Sequence, residues 1–271
     1  MLVRFIRKLV FNLAVRNPLR AIYRKYQIGA FEKLRRRVFP TYEKEFKFLP
    51  ELVNWKCSSL NHPNVINSHS EDIFILDIGA NVGQSAYALS RLFPFSNIMC
   101  FEPNPVVLKQ LEINSLERWV TVGLGLSGKT SEVTLSIPSY DGIYFTGLTS
   151  IDEKSASKFL NSKTIWNFKV KKFNLEPHQV KTKDLDSFEL SPHIIKIDTE
   201  GMEISILNGA LSTISRVHPI LMVECSGTLN SVRKLLEPLG YEPYEYSPNY
   251  GWIKSLGKNL NQVFLYKGDI T

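Results

Sequence analysis

Cysteine is scarce in this chain. Cys57, Cys100 and Cys225 are odd in number, widely spaced and set mostly in apolar, strand-like contexts. That pattern excludes a disulfide framework and reads as buried free thiols of a reducing, cytoplasmic compartment. Neither Cys-x-x-Cys nor His-x-x-x-His occurs, and the five histidines are scattered, so no metal site is expected. No uninterrupted apolar run has the length of a bilayer span, and the opening residues do not read as an ordinary secretory signal. Low-complexity tracts and internal repeats are lacking, which argues against disorder and against a repeat architecture. Two enzyme signatures are missing as well. The nicotinamide-type Gly-x-Gly-x-x-Gly turn is absent. So is the Gly-x-Ser-x-Gly elbow of serine hydrolases, because Gly125-Leu126-Ser127-Gly128 has the wrong spacing.

What is present is a globular composition with unevenly placed charge. The 271 residues are 44% hydrophobic and 22% charged, with a net charge of +7. Residues 1–37 hold eleven Lys and Arg against the single acid Glu32, a net of +10, which leaves −3 for the rest. The remainder therefore has no overall electrostatic reason to bind nucleic acid. Within the arm, Leu2, Phe5, Ile6, Leu9, Val10 and Leu13 form one face of a helix whose other faces carry Arg4, Arg7, Lys8 and Arg16. Two readings stay open: peripheral contact of residues 1–37 with an anionic membrane or a partner, or a helix packed on the main domain with its basic side solvated. Residues 1–70 are read as this basic helical arm and 71–271 as the main domain.

From Ile73 onward, apolar strand-like runs alternate with helical patterns, as in parallel β-α-β units. The strands are expected at Ile73–Ile78, Ile98–Phe101, Val120–Leu126, His193–Ile197 and Ile220–Val223. Two last strands, Tyr241–Tyr246 and Gln262–Tyr266, have no helix between them and are expected to pair antiparallel. The outcome is an α/β, Rossmann-like seven-stranded sheet, mostly parallel with one reversed strand. The alternation lapses over about 138–178, a stretch of roughly forty residues. An insertion of that length is usually functional, and this one is expected to cover the ligand end of the sheet. Its aromatics, Tyr140, Tyr144, Phe145, Trp166 and Phe168, suit either a sugar-stacking surface or the small core of a lid.

The most informative stretch is Phe74 to Gly83, a buried strand ending in Asp77 and followed by Gly79, Asn81 and Gly83 at the start of a helix. Asn81 stands where a dinucleotide site needs its middle glycine, and Asp77 suits a cationic ligand better than a pyrophosphate. Glu102 ends the next strand, where an acid hydrogen-bonds ribose hydroxyls. S-adenosylmethionine joins a ribose to a sulfonium and an ammonium, and fits both acids.

Four runs coincide on this one sheet. They are Asp77-x-Gly79-x-Asn81-x-Gly83, Phe101-Glu102-Pro103, Lys181-Thr182-x-Asp184-Leu185-Asp186, and Ile195-Lys196-Ile197-Asp198-x-Glu200-Gly201-x-Glu203. Together they resemble the FkbM family of S-adenosylmethionine-dependent methyltransferases over roughly Glu71 to Tyr266. The turn Thr146–Ile151 also resembles one these proteins carry. The resemblance implies methyl transfer to a hydroxyl, commonly of a sugar, glycan or related natural product, as a small-molecule or glycan acceptor. It implies that Asp77, Gly79, Asn81 and Gly83 hold the methionine part of the cofactor, Glu102 and Pro103 the ribose side, and Ser127 the adenine side. Asp198 is favoured as base or acceptor-orienting group, with Lys196, Glu200 and Glu224 as further candidates; Lys196 suits a buried ion pair equally well. The rival reading is a non-catalytic adapter that keeps the fold and binds a membrane or partner through the arm.

Overall fold

The computed structural model describes residues 46–59, 73–157, 160–162, 165, 168–247, 249, 251–255, 257 and 259–269. The basic arm 1–37, Trp166 and the Cys57 side chain lie outside the described residues. Among those described, no helix is long and apolar enough to cross a membrane.

The chain runs α1 (Leu49–Ser59), β1 (Phe74–Ile78), α2 (Gln84–Leu92), β2 (Asn97–Phe101), α3 (Pro105–Asn114) and β3 (Trp119–Val122). Next come β4 (Gly125–Leu126), β5 (Ser131–Tyr140), β6 (Ile143–Tyr144), α4 (Glu153–Ser157) and β7 (Phe173–Lys183). It finishes with β8 (Ile194–Ile197), α5 (Glu203–Asn208), α6 (Leu211–Val217), β9 (Ile220–Glu224), α7 (Leu229–Leu236), β10 (Tyr241–Ser247), β11 (Gly251–Lys254) and β12 (Asn261–Tyr266). The main sheet has the order β11-β10-β12-β9-β8-β1-β2-β3. Strands β3, β2, β1, β8 and β9 are mutually parallel. The β12 strand pairs antiparallel with both β9 and β10, as the helix-free connection implies. The sheet has eight strands rather than seven, and two are reversed. Gly251–Lys254 folds back on β10 as an edge strand with its own antiparallel register; the Gly- and Asn-rich sequence around it reads as a loop.

Central strands are apolar throughout because both faces are covered. Ile75, Ile194 and Met222 join one buried cluster, and Leu76, Ile78, Ile195 and Leu221 join the other. That alternation puts Asp77 and Lys196 on the first face, with α2. Helix α3 starts cleanly because Pro105 needs no N–H partner in the first turn and the Asn104 side chain accepts from Val106 N at 2.9 Å.

The domain core reaches back past the boundary placed at residue 71. Phe46, Leu49, Leu52 and Val53 are buried in the cluster that holds Ile73, Ile75 and Leu89, and Phe48 stacks on Tyr246 with ring centroids 3.4 Å apart. Pro50 reads as a loop marker in the sequence, yet it lies in the first turn of α1, where proline is tolerated.

The insertion 138–178 also changes shape. A second sheet, β4-β7-β5-β6, carries a ladder from Ser131↔Thr182 to Tyr140↔Phe173, so both ends of the stretch are regular strand. Pro138 and Pro177 disguise this, but each sits in a strand whose outer edge is largely unpaired, where a missing N–H costs little. Between the strands, Tyr140, Leu160 and Ile165 are buried with Phe145, Phe168 and Phe173 packed on them. These aromatics are the lid's own core.

Leu52→Ala should cost about 2–5 kcal/mol of unfolding free energy in a urea titration, the range for a buried leucine; an unchanged midpoint would return α1 to the arm.

Candidate active site

The carboxyl ends of β1 and β8 are joined through one buried ammonium. The register sets Asp77 opposite Lys196. Lys196 Nζ lies 3.5 Å from Asp77 Oδ1 and donates to Asp198 Oδ2 at 3.2 Å. Ser85 on α2 donates to Asp77 Oδ2 at 2.6 Å. Asp77 is fully buried and does not line the cavity above it. It sits beneath the site and holds Lys196 and the first turn of α2.

The turn after β1 explains its glycine. Gly79 has φ +79, and a Cβ there would stand 1.9 Å from the Asp198 carbonyl oxygen, so this loop passes the one after β8 with no room for a side chain. Gly79 and Ala80 both donate to the Phe101 carbonyl, at 3.0 and 3.2 Å. Asn81, with φ 50, donates its backbone N–H to Glu102 Oε2 at 2.7 Å, and Asn104 N–H reaches Glu102 Oε1 at 2.8 Å. Burial pushes the Glu102 carboxyl up to about 7, against the opposing pull of those two amides. Gly83 caps α2 with φ +87 and packs under Trp119 and Leu111, so it shapes the helix start without lining the cavity.

A cavity of about 180 Å³ opens above these loops, lined by Gly79, Asn81, Glu102, Thr146, Asp198 and Glu200 among others. An apolar extension of about 60 Å³ continues from it between Phe101, Pro103, Leu126, Leu135, Met202 and Ile206. Ser127 lies outside both. Its hydroxyl donates to Lys129 O at 2.6 Å and bonds Thr182 Oγ1 at 3.0 Å, so the neighbouring Leu124, Gly125 and Leu126 face the apolar lobe in its place.

The turn Thr146–Ile151, part of the insertion expected to cover the ligand end, forms the roof. Ser150 pairs with Ser136 through backbone bonds of 2.8 and 3.2 Å. Asn104 Nδ2 donates to Thr149 Oγ1 at 3.0 Å, Thr146 Oγ1 to Asn81 Oδ1 at 3.5 Å, and Ser150 Oγ to Glu200 O at 3.3 Å. The three loops that follow β1, β2 and β8 are thus each tied to the roof. Small hydroxyl residues at close spacing are the signal that marked it.

Across the cavity from Glu102, Asp198 is hydrogen-bonded to Glu224 at the end of β9. Burial raises the Asp198 pKa, but Lys196 and the bond to Glu224 outweigh it, and the net shift is downward. Glu224 is raised, first by burial and then by Asp198, so the pair shares one proton. Glu200, exposed as a whole residue, is pushed up to about 7 first by partial desolvation of its carboxyl and then by the charges of Asp198 and Glu203. Glu203 Oε1 is occupied in a capping role: it accepts from Thr199 N, Thr199 Oγ1 and Gly201 N at 3.2, 3.1 and 3.0 Å.

A mostly parallel α/β sheet with acids and glycines converging at its carboxyl end defines a Rossmann-like, ligand-binding domain. The sequence pattern of the Methyltransferase FkbM domain matches residues 77–243, and the chain belongs to that family. "Methyltransferase 1" of Beauveria bassiana (strain ARSEF 2860) is 27% identical over 152 residues, which are 51% of this chain and 59% of that protein. The chain thus spans less than two thirds of the relative's length. Among solved structures, the FkbM methyltransferase of Methylobacillus flagellatus KT matches 91% of this chain and 60% of its own, at 17% identity and a TM-score of 0.46. The plantazolicin methyltransferase BpumL matches 91% of this chain and 95% of its own, at 10% identity and a TM-score of 0.40.

Two predictions follow from this geometry. Asp77→Ala should lower stability by about 3–5 kcal/mol, because it strips one partner from a buried ion pair; chemical denaturation reads the loss. A carboxyl whose folded pKa is raised binds its proton more tightly when folded. Glu102 therefore lends stability that is full below its ordinary 4.5 and is lost as the pH rises to about 7. Glu102→Gln should flatten the decline of stability between pH 4.5 and 7, by on the order of 3 kcal/mol, in denaturation curves taken across that range.

Proposed function

We propose that this chain is an S-adenosylmethionine-dependent O-methyltransferase acting on a hydroxyl of a sugar, a glycan or a related natural product. The observation that carries the reading is one cavity with two differently built acidic sides. Glu102 is fixed by two backbone amides on one side, and Asp198 is tied to Lys196 and Glu224 on the other. Family membership supports methyl transfer.

The residues fit the donor. After accepting from Asn81 and Asn104, the Glu102 oxygens keep lone pairs for ribose hydroxyls, and the apolar lobe suits the flat face of an adenine. When bound, S-adenosylmethionine supplies a methyl group on a sulfonium, an electrophile that needs no further activation. The protein's own tasks are then alignment and proton management. The roof excludes water from above. Lys196 keeps Asp198 ionised, and the Asp198–Glu224 pair offers an acceptor hydroxyl an oxygen to donate to, which holds that hydroxyl in position.

Calorimetric titration with S-adenosylmethionine should give micromolar binding, and NADH none. Transfer of labelled methyl to a panel of methyl glycosides then tests the acceptor class. Asp198→Ala is expected to keep donor affinity within about tenfold while lowering transfer about 100-fold or more. Binding of NADH in place of S-adenosylmethionine contradicts the reading, and donor binding with transfer to amines alone contradicts its O-specific part.

A further inference from the structure

Six carboxylates surround the cavity and its floor, and five are committed to protein partners. Asp77 holds Ser85 and Lys196. Glu102 holds two amides, and Glu203 holds Thr199 and Gly201. Asp198 holds Lys196 and shares a hydrogen bond with Glu224. Among the described residues, the Glu200 carboxylate has no such partner, although the residue lines the cavity.

The backbone brings it there at a cost. Glu200 has φ 51, a left-handed conformation unfavourable to a long side chain, and Gly201 follows at φ 108 with open space where a Cβ would be. The conformation is held from the roof by Ser150 Oγ, which donates to the Glu200 carbonyl at 3.3 Å, and from below by the Glu203 cap on Thr199 and Gly201. A strained segment fixed at both ends thus sets at the cavity wall a residue whose carboxylate is uncommitted.

We propose that Glu200 is the general base of the transfer, taking the proton of the acceptor hydroxyl, an assignment that rests on the methyltransferase reading above. The acceptor O–H gives its proton to a Glu200 carboxylate oxygen as the acceptor oxygen bonds to the methyl carbon. The carbon–sulfur bond breaks with its electron pair left on sulfur, which turns from sulfonium to neutral thioether. Glu200 is exposed enough to pass the proton on to water. Asp198 is the weaker candidate because Lys196 holds it ionised, and Glu224 already carries the proton of their pair. The charged groups facing Glu200 are Asp198 after β8, Glu203 on α5 and Glu224 on β9. They keep its affinity for a proton near neutrality, where a base works best. Lys196, on β8, is engaged by Asp77 and Asp198.

The test needs no knowledge of the natural acceptor. S-adenosylmethionine is titrated at pH 7 into the full-length protein and its Glu200→Gln variant, in buffers of different ionisation enthalpy. A net cation arriving beside a half-protonated Glu200 should release on the order of half a proton. The variant should bind within a few-fold and release fewer protons by about that amount, because Glu102, also raised to about 7, contributes equally in both proteins. With a methyl glycoside that serves as acceptor, Glu200→Gln should also lower kcat by about 10²–10⁴-fold, leave the donor KM unchanged and remove the acid limb of the pH profile. Equal proton release in both proteins, or a variant that turns over with the wild-type pH profile, overturns the assignment. Failure of the wild type to bind S-adenosylmethionine is a different result: it removes the donor reading, and this assignment with it.

Discussion

The site depends on the ammonium of Lys196 being held between Asp77 and Asp198. A lysine only 2% exposed loses several kcal/mol of hydration, and that loss is tolerable only with carboxylates close on hand. Meeting the need fixes much else. It requires β1 and β8 to be neighbours in one register, ties Asp77 to Ser85 and so to the start of α2, and sets the charge on Asp198. Steric contact reinforces the electrostatics, since the loops after these two strands approach so closely at Gly79 that no other residue fits. The two strands that carry the family's strongest motifs are thus locked together from inside.

Above that lock the labour is divided. On the proposed reading, the loops after β1 and β2 build the donor side around Glu102, the loop after β8 and the end of β9 the acceptor side, and the second sheet the roof. The roof turn hydrogen-bonds to all three loops with Thr and Ser side chains. An opening of the second sheet would therefore disturb the donor and acceptor sides together. The lid's aromatic cluster, with Tyr140 at its centre, gives that sheet's tip a small core of its own.

Much of this was legible in the residues. Alternating apolar runs and helical patterns located the parallel strands, because a strand buried on both faces cannot disguise its composition. Gly79, Asn81, Glu102 and Asp198 were marked by their positions at strand ends and in the turn after β1, and the structure brings them to one cavity. Other features depend on contacts that sequence spacing does not encode. Asp77 sits at a strand end like a ligand-binding acid, yet it lies below the cavity, with Oδ2 taken by Ser85 and Oδ1 3.5 Å from the Lys196 ammonium. Ser127 has the right place in the chain but turns its hydroxyl to Thr182. Helix α1 was hidden by Pro50 and the long ladder by Pro138 and Pro177, each a breaker by rule and tolerated by position. Glu200 was one of several candidate acids in the sequence, and only the partners of the other carboxylates around the cavity set it apart, an accounting that needs coordinates.

The most direct test is a crystal structure of the protein with S-adenosylhomocysteine. The account predicts ribose hydroxyls within hydrogen-bonding distance of Glu102, the adenine in the apolar lobe beside Pro103 and Met202, and Lys196 still between Asp77 and Asp198 below the ligand. A nucleoside bound elsewhere, or Lys196 turned up into the cavity to meet the ligand, would contradict it.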